Sequence, residues 1–366
     1  TEPALSPVWL NLCILSALGA GGWWAWGLPE RMHLLCAGVL AGGFLQMAVP
    51  AGVLWREGWR PTFDLQYNER VSAIVRLMGP MVIGSAIYLV NMAVSRFLGL
   101  SLNDSAAAII NLATRVMELP IGVFTAAIAT VVFPLIARHA ARSDWGQLAG
   151  DYHKGLRLVL VLNVPAAVGL AVLSEPITRL LFQRGAFSAT DTGLMTPVLA
   201  VYALGLPFLS FVTVALRGFY AVKDTATPVR AAAWSFGVNL GLSLVLMRWF
   251  STVGLAVAGT VAVLVQAWYL QTRLSRRLPA LGFGPLWPNL VKIVIASTVL
   301  GFVVWGGQRA SEWLPLAGKA HDLAIVLILI PAGAAVYGAL LWMLKIEGRT
   351  ELELILNRIR GRRPDA

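Results

Sequence analysis

Asn111, Arg115, Glu118, Gly122 and Thr125 succeed one another at steps of four, three, four and three in the run NLATRVMELPIGVFTAAIATVVFPL. Steps of three and four put side chains on one face of an α-helix. The chemistry such a face offers is charge recognition. A guanidinium makes two parallel charged hydrogen bonds to a phosphate or carboxylate, and an acid one turn away can hold or release it. The flanking residues are apolar, and an arginine in the middle of a membrane span costs about 2.5–3.5 kcal/mol, so it should face protein or a watery cavity. Counted from Ser105 at about 1.5 Å per residue, Arg115 lies about 15 Å deep, near mid-membrane. Pro120 removes a backbone hydrogen bond and conflicts with the carbonyl of Val116, which predicts a bend beside the charged pair, with Pro120 and Gly122 as hinge candidates. Two readings stay open at this point: an Arg115–Glu118 pair that neutralises itself and locks two helices, or a cavity-facing guanidinium for an anionic ligand.

Other polar residues in apolar stretches are weaker signals. Tyr88, Asn91 and Ser95 share a helical face and could line the same cavity, although ordinary interhelical hydrogen bonding is the commoner role for each. Arg96 is expected to snorkel toward an interface, and Asn163, Asn239 and Gln266 to serve as packing polar groups. The four histidines, His33, His139, His153 and His321, lie apart. The chain has no Walker A sequence, no HExxH, no CxxC and no nucleophile–base–acid set, so neither an enzyme nor a resident cofactor or metal is expected. Cys13 and Cys36 both fall in apolar segments and read as packing or lipid-facing residues rather than a redox pair.

The elements that position these groups follow from composition. The 366 residues are 58% hydrophobic and 13% charged, with 14 Trp. A soluble globule carries roughly 25% charged residues, so this is an integral membrane protein. Ten apolar stretches are long enough to cross a bilayer as helices, near 8–28, 33–55, 77–100, 105–137, 156–182, 193–217, 229–248, 252–272, 290–308 and 323–344. Helices are required because isolated strands in lipid leave backbone groups unpaired. Long unbroken apolar runs such as Leu323 to Pro331 exclude a barrel, which would alternate. With the N-terminus inside, 21 of the 29 Lys and Arg fall in cytoplasmic segments and six in the opposite loops. The positive-inside rule therefore puts both ends in the cytoplasm, and the net charge of +11 reflects this distribution rather than nucleic-acid binding. Ser6-Pro7-Val8 followed by two helices is echoed by Thr227-Pro228-Val229 followed by two more. This weak repeat makes the third to eighth spans one six-helix unit and the first two the end of another. The non-Met start agrees with four helices preceding the chain, and repeats of this kind are common in transporters. After Lys345, Leu352, Ile355, Leu356 and Ile359 recur at helical spacing among arginines, which suits either a helix on an anionic leaflet or a solvated tail.

RVMELP at 115–120, LFQRGAF at 181–187 and GFYAVKDTATPV at 218–229 resemble the MurJ family of lipid II flippases, within the multidrug/oligosaccharidyl-lipid/polysaccharide exporter superfamily. The resemblance runs from about Pro7 to Leu344. It implies an all-α polytopic membrane protein of fourteen helices in two lobes, of which the ten spans here resemble the fifth to fourteenth. The implied divisions are 1–60, the last two helices of the first lobe; 61–275, the six-helix second lobe; 276–345, two extra helices forming a groove for a lipid tail; and 346–366, a basic amphipathic cytoplasmic tail. By the same resemblance Arg115 matches an essential second-lobe arginine and Glu118 its neighbouring acid. Asn111 and Asn91 join them as candidate substrate-binding residues. The implied function is movement of lipid II, the lipid-linked peptidoglycan precursor, across the bacterial cytoplasmic membrane by alternating access for cell-wall synthesis. Implied partners are lipid II, membrane lipids and cell-wall synthesis enzymes, with no nucleic acid. Some relatives hold a cation in the second lobe through acidic groups, whereas the matching third and seventh spans here contain no Asp or Glu, which argues against direct sodium coupling. The alternatives are a polysaccharide-lipid or drug exporter of the same superfamily, or a membrane scaffold that transports nothing. An exporter of cationic drugs should prefer an acidic cavity to one holding an arginine.

Overall fold

Backbone amides inside a bilayer must be satisfied within their own segment, and a computed structural model of the chain meets this demand with helices alone among the described residues. The described residues are 2–23, 27–58, 60, 69–103, 105–311, 313 and 318–346. The amphipathic tail expected after Lys345, including Leu352, Ile355, Leu356 and Ile359, lies outside them. The chain forms two units, Thr1–Val71 and Ser72–Ala366.

The first unit is a pair of packed helices, α1 (Glu2–Trp23) and α2 (Leu28–Arg56). Small residues let their backbones approach. A Cβ on Gly42 would sit 2.9 Å from the Cα of Leu10, and one on Gly38 would sit 2.7 Å from the Cβ of Ala17. The described part of α1 runs to Trp23. α2 opens with a proline at its N-terminus, where the missing amide proton would have no partner in the helix. Cys13 and Cys36 are both free thiols.

The second unit contains α3 (Glu69–Leu102) from Ser72 onward, α4 (Ala106–Pro120), a π-helical segment (Ile121–Thr125), α5 (Ala126–Ala141), α6 (Trp145–Val172), α7 (Ser174–Phe182), α8 (Ala189–Ala221), α9 (Ala226–Arg277), α10 (Trp287–Ser311) and α11 (Gly318–Met343). α6 and α8 are central. Their apolar faces join α5 and α9 in one core built on Ile136, Leu148, Tyr152, Leu156, Phe219 and Leu270. A second core joins α6 to α10 and α11 through Val161, Ile293, Ala296, Val304 and Tyr337. The phenol of Tyr337 donates to the carbonyl of Val161 at 2.8 Å, so the last two helices are tied to the bundle by a buried hydrogen bond as well as by apolar area.

Eight helices among the described residues are long and apolar enough to cross a membrane, with Pro7–Trp23 a shorter apolar helix. The 52-residue α9 holds two of the ten expected crossings. Ser251 breaks it with φ 49° and ψ −130°, and its limbs run back along each other: the Ser235 hydroxyl donates to the carbonyl of Ala262 at 3.1 Å. The turn is so tight that a Cβ on Gly254 would meet the carbonyl oxygen of Leu246 at 2.4 Å. One expected span needs correction. The stretch 156–182 is two elements, because α6 begins earlier, at Trp145, capped by Asp144, whose carboxylate accepts the amide of Gln147 at 3.1 Å. The chain then breaks at Leu173 into the short α7.

Candidate functional site

α4 is amphipathic in the sense a membrane bundle uses. Ala106, Ile109, Ile110, Ala113, Val116 and Met117 are buried, while Arg115, Glu118, Leu119 and Gly122 are exposed. Arg115 Nη1 donates to Glu118 Oε2 at 3.1 Å, and the two side chains are 67% and 56% exposed. The pair therefore does not lock two helices of this unit together. It stands on the outward face of α4 with most of the guanidinium uncovered, and Asn111, one turn earlier, is half-buried.

The bend expected at Pro120 takes a specific form. Five residues, Ile121–Thr125, adopt a π-helix directly after the proline, with Gly122 exposed as its second residue. A π segment inserts one residue into the helical register. The buried positions record it: Ile110 and Met117 are two turns apart, as are Thr125 and Val132, but the two sets are separated by eight residues rather than seven. This overturns one expectation. Thr125 does not continue the Arg115 face; it is fully buried, where its hydroxyl donates to Ser210 Oγ at 2.9 Å and accepts from Asn163 Nδ2 at 3.1 Å. Asn163 Nδ2 also donates to the carbonyl of Val159 at 3.0 Å. The π segment is thereby pinned to α6 and α8 by a polar knot that periodicity alone could not reveal, because a continuous α-helix would turn Thr125 outward.

Asn91 occupies a different place. Asn239 on α9 donates to its Oδ1 at 2.7 Å, with Ser95 Oγ 3.5 Å away, and Ser243 donates back to Asn239 at 3.4 Å. These groups form an interhelical ladder, and Asn91 also lines a cavity of about 460 Å³ between α3, the end of α8 and α9. Tyr88 lines it too, whereas Asn111, Arg115 and Glu118 are not among its walls. The structure thus brings Arg115 and Glu118 together with Asn111 on the same helix, and sets Asn91 with α9.

Two polar features were not anticipated. Asp322, on α11, is 1% exposed and accepts from Arg179 Nη1 of α7 at 3.0 Å, while Arg179 Nη2 is bonded to Glu175. The only prior sign was an acid at the edge of an apolar run. Beyond the spans, Asp224 in the turn between α8 and α9 accepts the Thr227 amide at 3.0 Å, the Thr227 hydroxyl at 2.8 Å and Arg277 Nη1 at 2.7 Å. Burial opposes ionisation of Asp224, but the bonds from Thr227 and the charge of Arg277 outweigh it and hold the carboxyl below its usual range. This is the physical content of the D..TPV motif: an acid that ties the start of α9 to its end. No group of three or more His, Cys, Asp or Glu that could hold a metal is present among the described residues.

A bundle of apolar helices and an uncovered arginine within a span define a polytopic membrane protein with a charged face on α4 of its larger unit. Comparison with known proteins narrows the class. The family model described as Lipid II flippase MurJ matches residues 1–318, and the chain belongs to that family of multi-pass membrane proteins. A relative from Rhizobium meliloti (strain 1021), named "Probable lipid II flippase MurJ", is 32% identical over 342 residues, covering 92% of this chain and 63% of the relative. One of the same name from Rhizobium tropici is 29% identical over 366 residues, covering 99% and 68%. The chain thus spans about two thirds of the length of these relatives. Among solved structures, lipid II flippase MurJ in an inward closed conformation superposes with a TM-score of 0.71 at 22% identity, covering 96% of this chain and 68% of that one. The MATE transporter VcmN of Vibrio cholerae in its bent form gives 0.53 at 16% identity, covering 68% and 56%. These likenesses establish a shared helical fold.

Proposed function

We propose that this protein moves lipid II from the cytoplasmic to the outer leaflet of the bacterial cytoplasmic membrane, with both ends of the chain in the cytoplasm. The observation that carries this reading is Arg115, a mid-span guanidinium that α4 holds outward, two-thirds exposed, beside an acid. The substrate is a disaccharide-pentapeptide on a diphosphate attached to a polyprenyl chain. Its head cannot enter hydrocarbon unaided, because stripping water from charged groups without replacement costs many kcal/mol. Arg115 supplies replacement hydrogen bonds to the diphosphate or a peptide carboxylate when the transporter opens inward, while Glu118 holds the guanidinium between transport cycles. Asn111 adds a neutral donor one turn away. Pro120 and the π segment with Gly122 form the joint about which the charged half of this long helix turns. Residues 61–275 act as one lobe, working against a partner lobe to which 1–60 belongs. Residues 276–345 guide the lipid tail, and the membrane potential assists movement of charge, at about 2.3 kcal/mol per elementary charge per 100 mV.

The test is surface exposure of labelled lipid II in cells depleted of their own flippase, comparing rescue by the wild-type protein with rescue by Arg115→Ala at matched membrane levels. Wild type restores exposure and Arg115→Ala does not; Arg115→Lys restores part, since charge survives and the bidentate fork does not. Full rescue by Arg115→Ala overturns the role of the arginine. Failure of wild type to restore exposure, with precursor accumulating inside, overturns the substrate.

A further inference from the structure

Hydroxyl and amide groups inside membrane helices gain from partners, and several in the second unit find them within the protein. Thr114 donates to the carbonyl of Ile110 at 2.8 Å, Thr213 to Leu209 at 3.0 Å, Thr260 to Val201 at 3.3 Å and Thr298 to Val294 at 2.9 Å. Tyr220 at the end of α8 and Gln266 on the second limb of α9 are different. Neither side chain has a hydrogen-bond partner among the described residues, and both line the cavity of about 460 Å³ between α3 and α9. Tyr88 joins them from α3, its hydroxyl likewise without a partner among the described residues, and Asn91 also lines the cavity, its oxygen engaged by Asn239. These groups come from three helices, α3 and the consecutive α8 and α9. Among the described residues, no Asp, Glu, Lys, Arg or His lines the cavity.

That combination defines a ligand class. The described walls present neutral hydrogen-bonding groups and no charge, which suits a neutral ligand better than an ion that must shed its hydration. Two phenols, two carboxamides and Phe236 stand among apolar side chains, a mixed wall that sets hydrogen-bonding groups beside apolar and aromatic surface. Amides donate and accept at once, phenols do likewise, and aromatic faces cover the C–H surface of a ring. The volume falls within the usual range of about 300–1,000 Å³ for small-molecule sites.

We propose that the cleft between α3 and α9 is a saccharide site, which takes a neutral, hydroxyl-rich sugar through Tyr88, Asn91, Tyr220 and Gln266. The inference deepens the flippase reading in one respect: it assigns the sugar to the carried headgroup, leaving the charged part to Arg115.

The experiment measures equilibrium binding to the full chain in lipid nanodiscs with three probes: lipid II, undecaprenyl diphosphate without sugar, and the soluble disaccharide-pentapeptide. Gln266→Leu and the gentler Tyr220→Phe, which removes one hydroxyl and keeps the ring, are each compared with wild type. Each variant weakens lipid II binding roughly three- to tenfold, the value of one or two hydrogen bonds, and leaves undecaprenyl diphosphate unchanged. Unchanged binding of all probes in both variants, or equal loss of both lipids, overturns the site and marks the cleft as a water-filled vestibule. If the soluble probe binds as tightly as lipid II and is weakened by the same variants, the saccharide site stands and its ligand is a free sugar, separating it from the flippase reading. If wild type binds neither lipid II nor the soluble probe, the saccharide assignment is overturned. Arg115→Ala, which weakens both lipids if the flippase reading holds, reports on that reading separately.

Discussion

The Arg179–Asp322 pair joins α7 to α11 across a steep change of environment, and that asymmetry predicts unequal consequences for its two halves. Asp322 is 1% exposed and has one oxygen without a partner, whereas Arg179 is 35% exposed and is shared with Glu175. Replacing Arg179 with Met strands a buried carboxylate. Removing one partner of a buried pair costs about 3–5 kcal/mol, and because solvent reaches the arginine side the lower end applies, about 3 kcal/mol. Replacing Asp322 with Ala leaves Arg179 bonded to Glu175 and water, and it deletes the unsatisfied oxygen. The loss is then about one charge-assisted hydrogen bond, roughly 1–2 kcal/mol. The double variant resembles Asp322→Ala alone, since the stranded charge is gone. Equilibrium unfolding of the four proteins in one detergent, followed by circular dichroism, orders them as wild type, then Asp322→Ala with the double variant, then Arg179→Met. An Arg179→Met variant as stable as Asp322→Ala refutes the reasoning, because it would mean that water already solvates Asp322.

Other outcomes follow from single positions. Ser251 sits at a positive φ in a region glycine prefers, so Ser251→Gly raises thermal stability by about 1 kcal/mol without altering transport. Asp224 is held ionised in the fold, so its contribution is present above about pH 4 and disappears as pH falls through its depressed pKa. In unfolding measured against pH, Asp224→Asn flattens that acid limb, and at neutral pH it costs about 1 kcal/mol through the lost charge contact with Arg277. At Gly122 a Cβ would meet nothing within 4 Å, so Gly122→Ala is sterically free and stabilises the helix by about 0.5–1 kcal/mol. If the joint works as proposed, that variant transports more slowly while melting higher, which paired flux and melting measurements detect.

What composition and periodicity made legible was the set of crossings and the outward face of α4. Both depend on local spacing: apolar runs long enough to span, and Arg115 and Glu118 three apart on the side opposite Ile109, Ala113 and Val116. The features that stayed hidden depend on partners remote in the chain or on a local departure from α geometry. Asn91 pairs with Asn239 across nearly 150 residues, and no spacing rule connects them. Thr125 was expected beside Glu118, seven residues away, and that inference failed because it assumed an uninterrupted α-helix. Asp322 lies one residue outside the apolar stretch 323–344, where no spacing rule marks it, yet it is buried and paired with Arg179 from α7. The division of 156–182 was missed for a related reason: hydropathy stays high across Leu173, where the backbone changes direction.

The extra residue in Ile121–Thr125 has a consequence for how this helix can vary. Its first part presents Arg115 and Glu118 outward, while its second part buries Thr125, Ile128 and Val132, and the offset between them uncouples the two patterns. A continuous helix must satisfy one stripe along its whole length, so a change in which residues face out at one end constrains the other. Here the two halves are modular. The portion that carries the charges can alter its residues without disturbing the stripe that holds α5 to α6 and α8, and the bundle can be repacked without rotating the guanidinium.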